Sequence, residues 1–287
     1  MRTTWAVVAL VIAAAVQLVV TLAPDLYALV GPYFLPTTSM VLGALDSIVP
    51  FALAAAVLVG ADRWAVGRSR LWLAAGALAV VGGADLVNDL WLNSIASTGE
   101  LPEAYRILGP ALYLLRSAAM VAAFGLLAAG LWAERRASGA EVEPRAQDGA
   151  AVIPIGILGG ACIVATVWTG FTSVRVPFEF QVYAWVATFA LAMTFGAQAV
   201  LAIVALRTRP REGAAPELLI ATGSTLAMLG TTVNWVLPYL FLGNWPDLLL
   251  TVNTAARIIG LAGFVLVAAG FLIAGVGVRR SASTQPA

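Results

Sequence analysis

Long apolar runs recur along the whole chain, separated by short polar breaks that hold most of the arginines. A helix rises roughly 1.5 Å per residue, so about twenty largely apolar residues cross the hydrocarbon of a bilayer. Eight stretches meet that length, near residues 5–23, 38–60, 71–95, 107–133, 152–171, 181–206, 218–241 and 248–278. The pattern predicts an all-α, polytopic integral membrane bundle of about eight transmembrane helices. Residues 1–23 also have the outline of a signal peptide, with Arg2 ahead of an apolar run. The run is long for that role, and Leu22-Ala23-Pro24-Asp25 is a poor cleavage site. A retained first span is the expectation.

Arginine placement adds an orientation. One set of segments holds Arg2, Arg63, Arg68, Arg70, Arg135, Arg136, Arg145, Arg207, Arg209, Arg211, Arg279 and Arg280, whereas the alternate loops hold Arg106 and Arg175. Cytoplasmic loops carry the excess of basic residues. Both termini are therefore expected in the cytoplasm of a multi-pass cell-membrane protein. Aromatic residues prefer the headgroup level, and the spans place Trp5, Trp64, Trp72 and Trp132 at the inner interface. Trp91, Trp168, Trp185 and Trp245 fall near the outer one.

The longest polar segment, 134–150, divides the chain into a first half, 1–133, and a second, 151–280, followed by a tail, 281–287, expected to be disordered. The halves show a faint likeness. Phe124-Gly-Leu-Leu-Ala-Ala-Gly130 in the fourth span parallels Phe264-Val-Leu-Val-Ala-Ala-Gly270 in the eighth, and Val87-Asn88 parallels Val233-Asn234. Two parallel four-helix repeats would produce this.

Composition narrows the chemistry. Of 287 residues, 61% are hydrophobic and 11% charged, against about a quarter charged in soluble domains, so no sizeable soluble domain is hidden in the chain. With no His there is no His-ligated haem or metal site and no His general base. With one Cys, Cys162, there is no internal disulfide, and its apolar setting suits a small hydrophobe. Every basic residue is Arg, which removes a Lys Schiff base. A net charge of +1 offers nothing to nucleic acid. No cofactor is expected. The heavy Ala, Val, Leu, Gly and Arg usage suits a GC-rich bacterial genome and hence an inner membrane.

Five ionisable residues fall inside the predicted spans: Asp46, Asp85, Asp89, Arg116 and Arg257. Each costs on the order of 2.5–3.5 kcal/mol to insert and must face protein or water. Helical rise puts Asp89 about 28 Å from Arg70 and Arg116 about 27 Å from Glu134, so the two match in depth on consecutive antiparallel helices. Asp85 lies one turn deeper on the same face as Asp89. Asp46 and Arg257 also lie in the outer half, with Asn253 one turn from Arg257 and with Asn88 and Asn234 at a similar level. Pro50 and Pro238 are expected to break helices there.

Two interpretations of this polar layer stay open. Asp89 and Arg116 can clamp two helices together. Alternatively the layer lines an outward-facing vestibule, in which the arginines bind an anionic group and the carboxylates bind protons or cations. Arg257, whose nearest carboxylates are Asp46 and Asp247, is the arginine expected to receive a small anion or an anionic lipid headgroup, with Asn253 and Asn234 beside it. Asp85-x-x-Asn88-Asp89 resembles an aspartate motif of intramembrane prenyltransferases. The segment Thr231-Thr232-Val233-Asn234-Trp235 lacks the second such motif, which argues against that family. Transporter-like binding of a small solute or ion is the leading functional expectation. The alternative is a non-catalytic accessory or sensor subunit that binds a partner protein. Catalysis ranks third, because so few catalytic groups converge.

Overall fold

A computed structural model describes residues 2–30, 37–98, 103–137, 146–173, 178–208, 215–240 and 246–283, in places as backbone alone. It contains eight long helices, and there are no strands among the described residues. They are α1 (Arg2–Val30), α2 (Thr37–Gly60), α3 (Arg68–Thr98), α4 (Glu103–Ala137), α5 (Ala146–Ser173), α6 (Phe178–Thr208), α7 (Ala215–Leu240) and α8 (Pro246–Ser283). Among the described residues, seven are long and apolar enough to cross a membrane, by length and composition. The exception, α7, carries Thr222, Ser224, Thr225, Thr231, Thr232 and Asn234 along its length. Several of its hydroxyls are satisfied by helix carbonyls, Ser224 by Gln198, Thr225 by Ala221 and Thr232 by Met228.

Most helices extend beyond the apolar runs that announce them. Hydropathy marks the hydrocarbon thickness, whereas backbone hydrogen bonding continues into the headgroup zone. The expected linker 134–150 is thereby shortened, since α4 runs to Ala137 and α5 begins at Ala146. The expected tail is also partly helical, because α8 runs to Ser283, and 284–287 lie outside the described residues. Pro50 does not break α2, which is continuous from Thr37 to Gly60, and α7 likewise continues through Pro238. Within a helix a proline removes only the bond to the carbonyl four residues earlier, here that of Asp46.

Helix contacts within the first half recur within the second. Helix α1 packs on α2 and α3, α2 on α3, and α3 on α4; likewise α5 packs on α6 and α7, α6 on α7, and α7 on α8. The seams between halves correspond too, α2 against α8 and α4 against α6. This is the pairing a parallel four-helix repeat would produce. It closes a ring of six helices, α2–α3–α4–α6–α7–α8, with α1 and α5 outside it. Burial agrees: 6% of the α1 span and 17% of the α5 span are buried inside the protein, against 39–56% of the other five apolar spans. The exposed side chains of these two helices, among them Trp5, Val11, Ile12, Ile157, Val164 and Trp168, require an apolar solvent.

Small residues allow the ring to close. Pro216, Ile220, Gly223, Ala227 and Gly230 on α7 face Ala256, Gly260, Gly263, Val267 and Gly270 on α8. A β-carbon on any of these glycines except Gly260 would strike backbone of the other helix. The alternating three- and four-residue spacing keeps one stripe against its neighbour. Gly130 meets Gly67 and Leu71 at the start of α3 as Gly270 meets Pro216 and Ile220 at the start of α7. Counting on from Leu71 and Ile220, Asn234 stands at the position of Asp85 rather than of Asn88, which corrects the alignment suggested by the Val-Asn pairs.

One end of the ring is sealed. We term it proximal, because Thr3 lies there beside Ala65, Ser69 and Trp72, and Gly275 of α8 lies against Val59. Leu53, Leu71, Phe124, Leu127, Leu201, Ile220, Val267 and Phe271 fill its interior. Trp64, expected at the interface, is instead buried there edge-on to Phe271, with ring centroids 5.3 Å apart. A tight turn, Ala61–Arg63, precedes it. Arg63 donates from Nε and Nη2 to Oε1 of Glu217, at 3.2 and 3.1 Å. Glu217 is 2% exposed in the first turn of α7, where the helix dipole favours a negative charge. This ion pair ties the two halves together at the proximal end.

Candidate functional site

Toward the distal end the ring is hollow. Pro50, Met120, Gln198 and Phe264 line a cavity of about 300 Å³, and one turn further on Leu53, Phe124, Leu201 and Val267 belong to the sealed core. Those four positions mark its floor. Asp46, Tyr113, Leu191 and Arg257 also line it, one to two turns nearer the distal end, so the cavity is roughly 10 Å deep. The helices that supply both levels, α2, α4, α6 and α8, all begin at the distal end. Because Cα–Cβ bonds tilt toward a helix N-terminus, their lining side chains lean toward the distal end.

Both intramembrane arginines border this space, but they are held differently. Arg257 donates from Nη2 and Nε to Oδ2 of Asp46, at 2.6 and 3.1 Å. The bond crosses from α8 in the second half to α2 in the first. On the glycine register Arg116 matches Ala256, which faces α7, so Arg257 stands one residue further round α8 and meets α2 instead. Arg116 donates from Nε alone to Asp85 Oδ1. Among the described residues neither of its terminal nitrogens has a protein partner. Arg116 and Tyr113 also line a second cavity of about 190 Å³, with Ala84, Asp85, Asn88, Gly109 and Leu112, and so form the wall between the two spaces.

The expected pairing of Asp89 with Arg116 is therefore corrected to Asp85 with Arg116. Asp89 accepts at Oδ2 from Gln17 Nε2 (2.7 Å) and from Thr21 Oγ1 (3.1 Å), which fastens the peripheral α1 to α3. Thr21 is also 3.1 Å from Ser47 on α2. Of the seven residues singled out in the sequence, Asp46, Arg116, Asn234 and Arg257 converge on the central cavity, and Asp85 reaches it through Arg116. Asp89 belongs to the α1 contact, and Asn253 is not among the lining residues. Asp247 falls outside the residues whose side chains are described. The expectation that Arg257 lacks a dedicated partner is corrected: it holds Asp46 with two nitrogens, whereas Arg116 holds Asp85 with one.

Gln198 is the lining residue that charge-based reading missed. It is 2% exposed, yet it borders the cavity, and its Oε1 has no hydrogen-bond partner. A buried amide oxygen without a donor costs on the order of 1–3 kcal/mol. The available signal was an amide within an otherwise apolar run, Phe195-Gly-Ala-Gln-Ala-Val200. The remaining polar lining is Ser117, Thr194 and Thr231, while Val49, Leu191, Phe195 and Leu261 make the walls largely apolar. Among the described residues no cluster of His, Cys, Asp and Glu could hold a metal ion. Cys162 is buried among Phe195, Ala199 and Met228, a hydrophobic setting. No protein-family model, curated protein or solved structure matches the chain.

Proposed function

We propose that this chain is a transporter-like, multi-pass protein of a bacterial inner membrane that binds a small anionic solute in the cavity of its six-helix ring. The observation that carries this reading is the cavity itself, hollow toward one end and bordered by two arginines, of which Arg116 engages its carboxylate through Nε alone. Buried concave pockets with few polar groups are where proteins hold small ligands, and this one is at the small end of their range. An accessory subunit that offered only its membrane surface to a partner would have no use for such a space. The arginine distribution supports termini in the cytoplasm, which turns the distal mouth to the exterior.

Accessibility tests this. In a Cys162→Ala background, Thr231→Cys should react with an impermeant anionic thiosulfonate added outside intact cells. Thr232→Cys, the next residue on the same helix, should not, because Thr231 lines the cavity and Thr232 is buried away from it. Reaction of Thr231→Cys only in inverted vesicles would reverse the orientation and leave the cavity. Equal, negligible reaction at both positions would remove the cavity reading.

A further inference from the structure

We propose, resting on that reading, that the anion is bound together with one proton, and that Asp46 is the group that receives it. Both arginines bordering the cavity are already neutralised, Arg257 by Asp46 and Arg116 by Asp85. A third carboxylate, Asp89, stands one turn from Asp85 on α3 and accepts only from the neutral donors of Gln17 and Thr21. Among the described side chains α1, α5, α6 and α7 bring no charged group to this level, and the remaining titratable group bordering the cavity is Tyr113. Three carboxylates thus stand against two guanidiniums, and an entering anion finds no unmatched positive charge. A charge left uncompensated away from water is strongly unfavourable. When two anions share one cation, a proton on one of them removes the repulsion.

Position singles out Asp46. It is the carboxylate that lines the cavity, whereas Asp85 stands behind Arg116 in the wall of the second cavity and Asp89 is fixed in the α1 contact. The Asp46 side chain is 43% exposed and that of Arg257 29%, so neither end of their bond is sealed. The seam around the pair is also open. At the proximal end α2 and α8 meet backbone to backbone, since a β-carbon on Gly60 would strike the carbonyl of Phe271 and one on Gly275 that of Val59. At the distal end a β-carbon on Gly43 would meet only Nη2 of Arg257, at 4.0 Å. The pair can therefore part by side-chain rotation, with the helices in place. The exchange is balanced: the anion accepts the Nη2 and Nε hydrogen bonds that Asp46 Oδ2 now accepts, and a proton from solution on the distal side adds to the released carboxylate. One negative and one positive charge enter, and the charge of the layer is unchanged. Carried across the membrane, this is one-to-one symport of an anion with a proton.

The experiment is calorimetric titration of the full chain in phosphatidylcholine nanodiscs with nitrate, methanesulfonate and benzenesulfonate. These are anions of strong acids, so a linked proton cannot come from the probe itself. For the tightest of them, affinity should rise about tenfold for each unit that the pH falls between about 8 and 6, the slope of one linked proton. At a single pH, the heats in Tris and in imidazole buffer should differ by the ionisation of one buffer molecule per site. Asp46→Asn should bind more tightly than wild type at the upper pH and lose the slope, whereas Asp89→Asn should keep it. Should Asp46→Asn fail to fold, the buffer comparison on the wild type decides. Anion binding with neither slope nor proton uptake overturns the proposal and leaves the anionic reading intact. A slope that survives in Asp46→Asn also overturns it, and its loss in Asp89→Asn would assign the proton to Asp89. If none of the three anions binds while Thr231→Cys is labelled, the proposal and the anionic reading fall and the cavity stands. If Thr231→Cys is also unreactive, the cavity falls with them.

Discussion

Gly263→Leu should prevent the second half from assembling. On α8 this glycine faces the backbone of α7, where even a β-carbon would fall on the amide nitrogen of Ala227 and the carbonyl oxygen of Gly223. Backbone atoms cannot move aside as a flexible side chain can, so α7 and α8 would have to separate along their whole seam. Overpacking ordinarily costs about 1–3 kcal/mol and sometimes more. Here the ring itself depends on the contact, because α7 joins α6 to α8. We expect Gly263→Ala to lower the melting temperature clearly and Gly263→Leu to abolish the monodisperse peak in detergent. Gly76→Ala is the control. Nothing lies within 4 Å of its added carbon, and alanine gains up to about 1 kcal/mol of helix propensity. A Gly263→Leu protein that melts like wild type would mean that α7 and α8 do not touch through their glycine stripe.

Removing Arg116 should destabilise the protein by about 2 kcal/mol, through Asp85. Breaking a fully buried ion pair costs about 3–5 kcal/mol because the partner charge is stranded. The Arg116 and Asp85 side chains are 38% and 21% exposed, so partial hydration reduces the loss. The diagnostic is the double-mutant cycle. Arg116→Gln with Asp85→Asn should be milder than the sum of the two single changes, since both charges leave together. Arg116→Gln with Asp89→Asn should be close to additive. Asp89→Asn alone should be mild, because the partners of Asp89 are neutral donors and the amide keeps an oxygen to accept from them. Coupling to Asp89 in place of Asp85, measured by melting in detergent, would contradict the structure.

The two arginines show where sequence reading stopped. Helical rise fixes depth along a helix to about one turn, and on that scale Asp85 and Asp89 are equivalent partners for Arg116. Choosing between them required the position of α1, whose Gln17 and Thr21 claim Asp89. Gln17 and Gln198 carry no charge, so attention to ionisable residues alone passed over both. The eight long helices were legible, although seven qualify as spans, because the energetic penalty for a charge in hydrocarbon is large and local. Ring closure was not, because it rests on which faces carry small residues. The three- and four-residue spacing of Ala256, Gly260, Gly263, Val267 and Gly270 was the readable sign. The cross-half bond of Arg257 to Asp46 follows from its place one residue beyond Ala256 of that stripe, which turns it from α7 toward α2.

The central claim is that the six-helix ring holds a solute cavity bordered by Arg116 and Arg257. An experimental density map of the protein in nanodiscs tests it most directly. It should show an open cavity with ordered density beside the terminal nitrogens of Arg116, with Arg257 still bonded to Asp46. A map in which Arg116 folds across to Asp46 and the side chains of Met120 and Phe264 fill the space would contradict it.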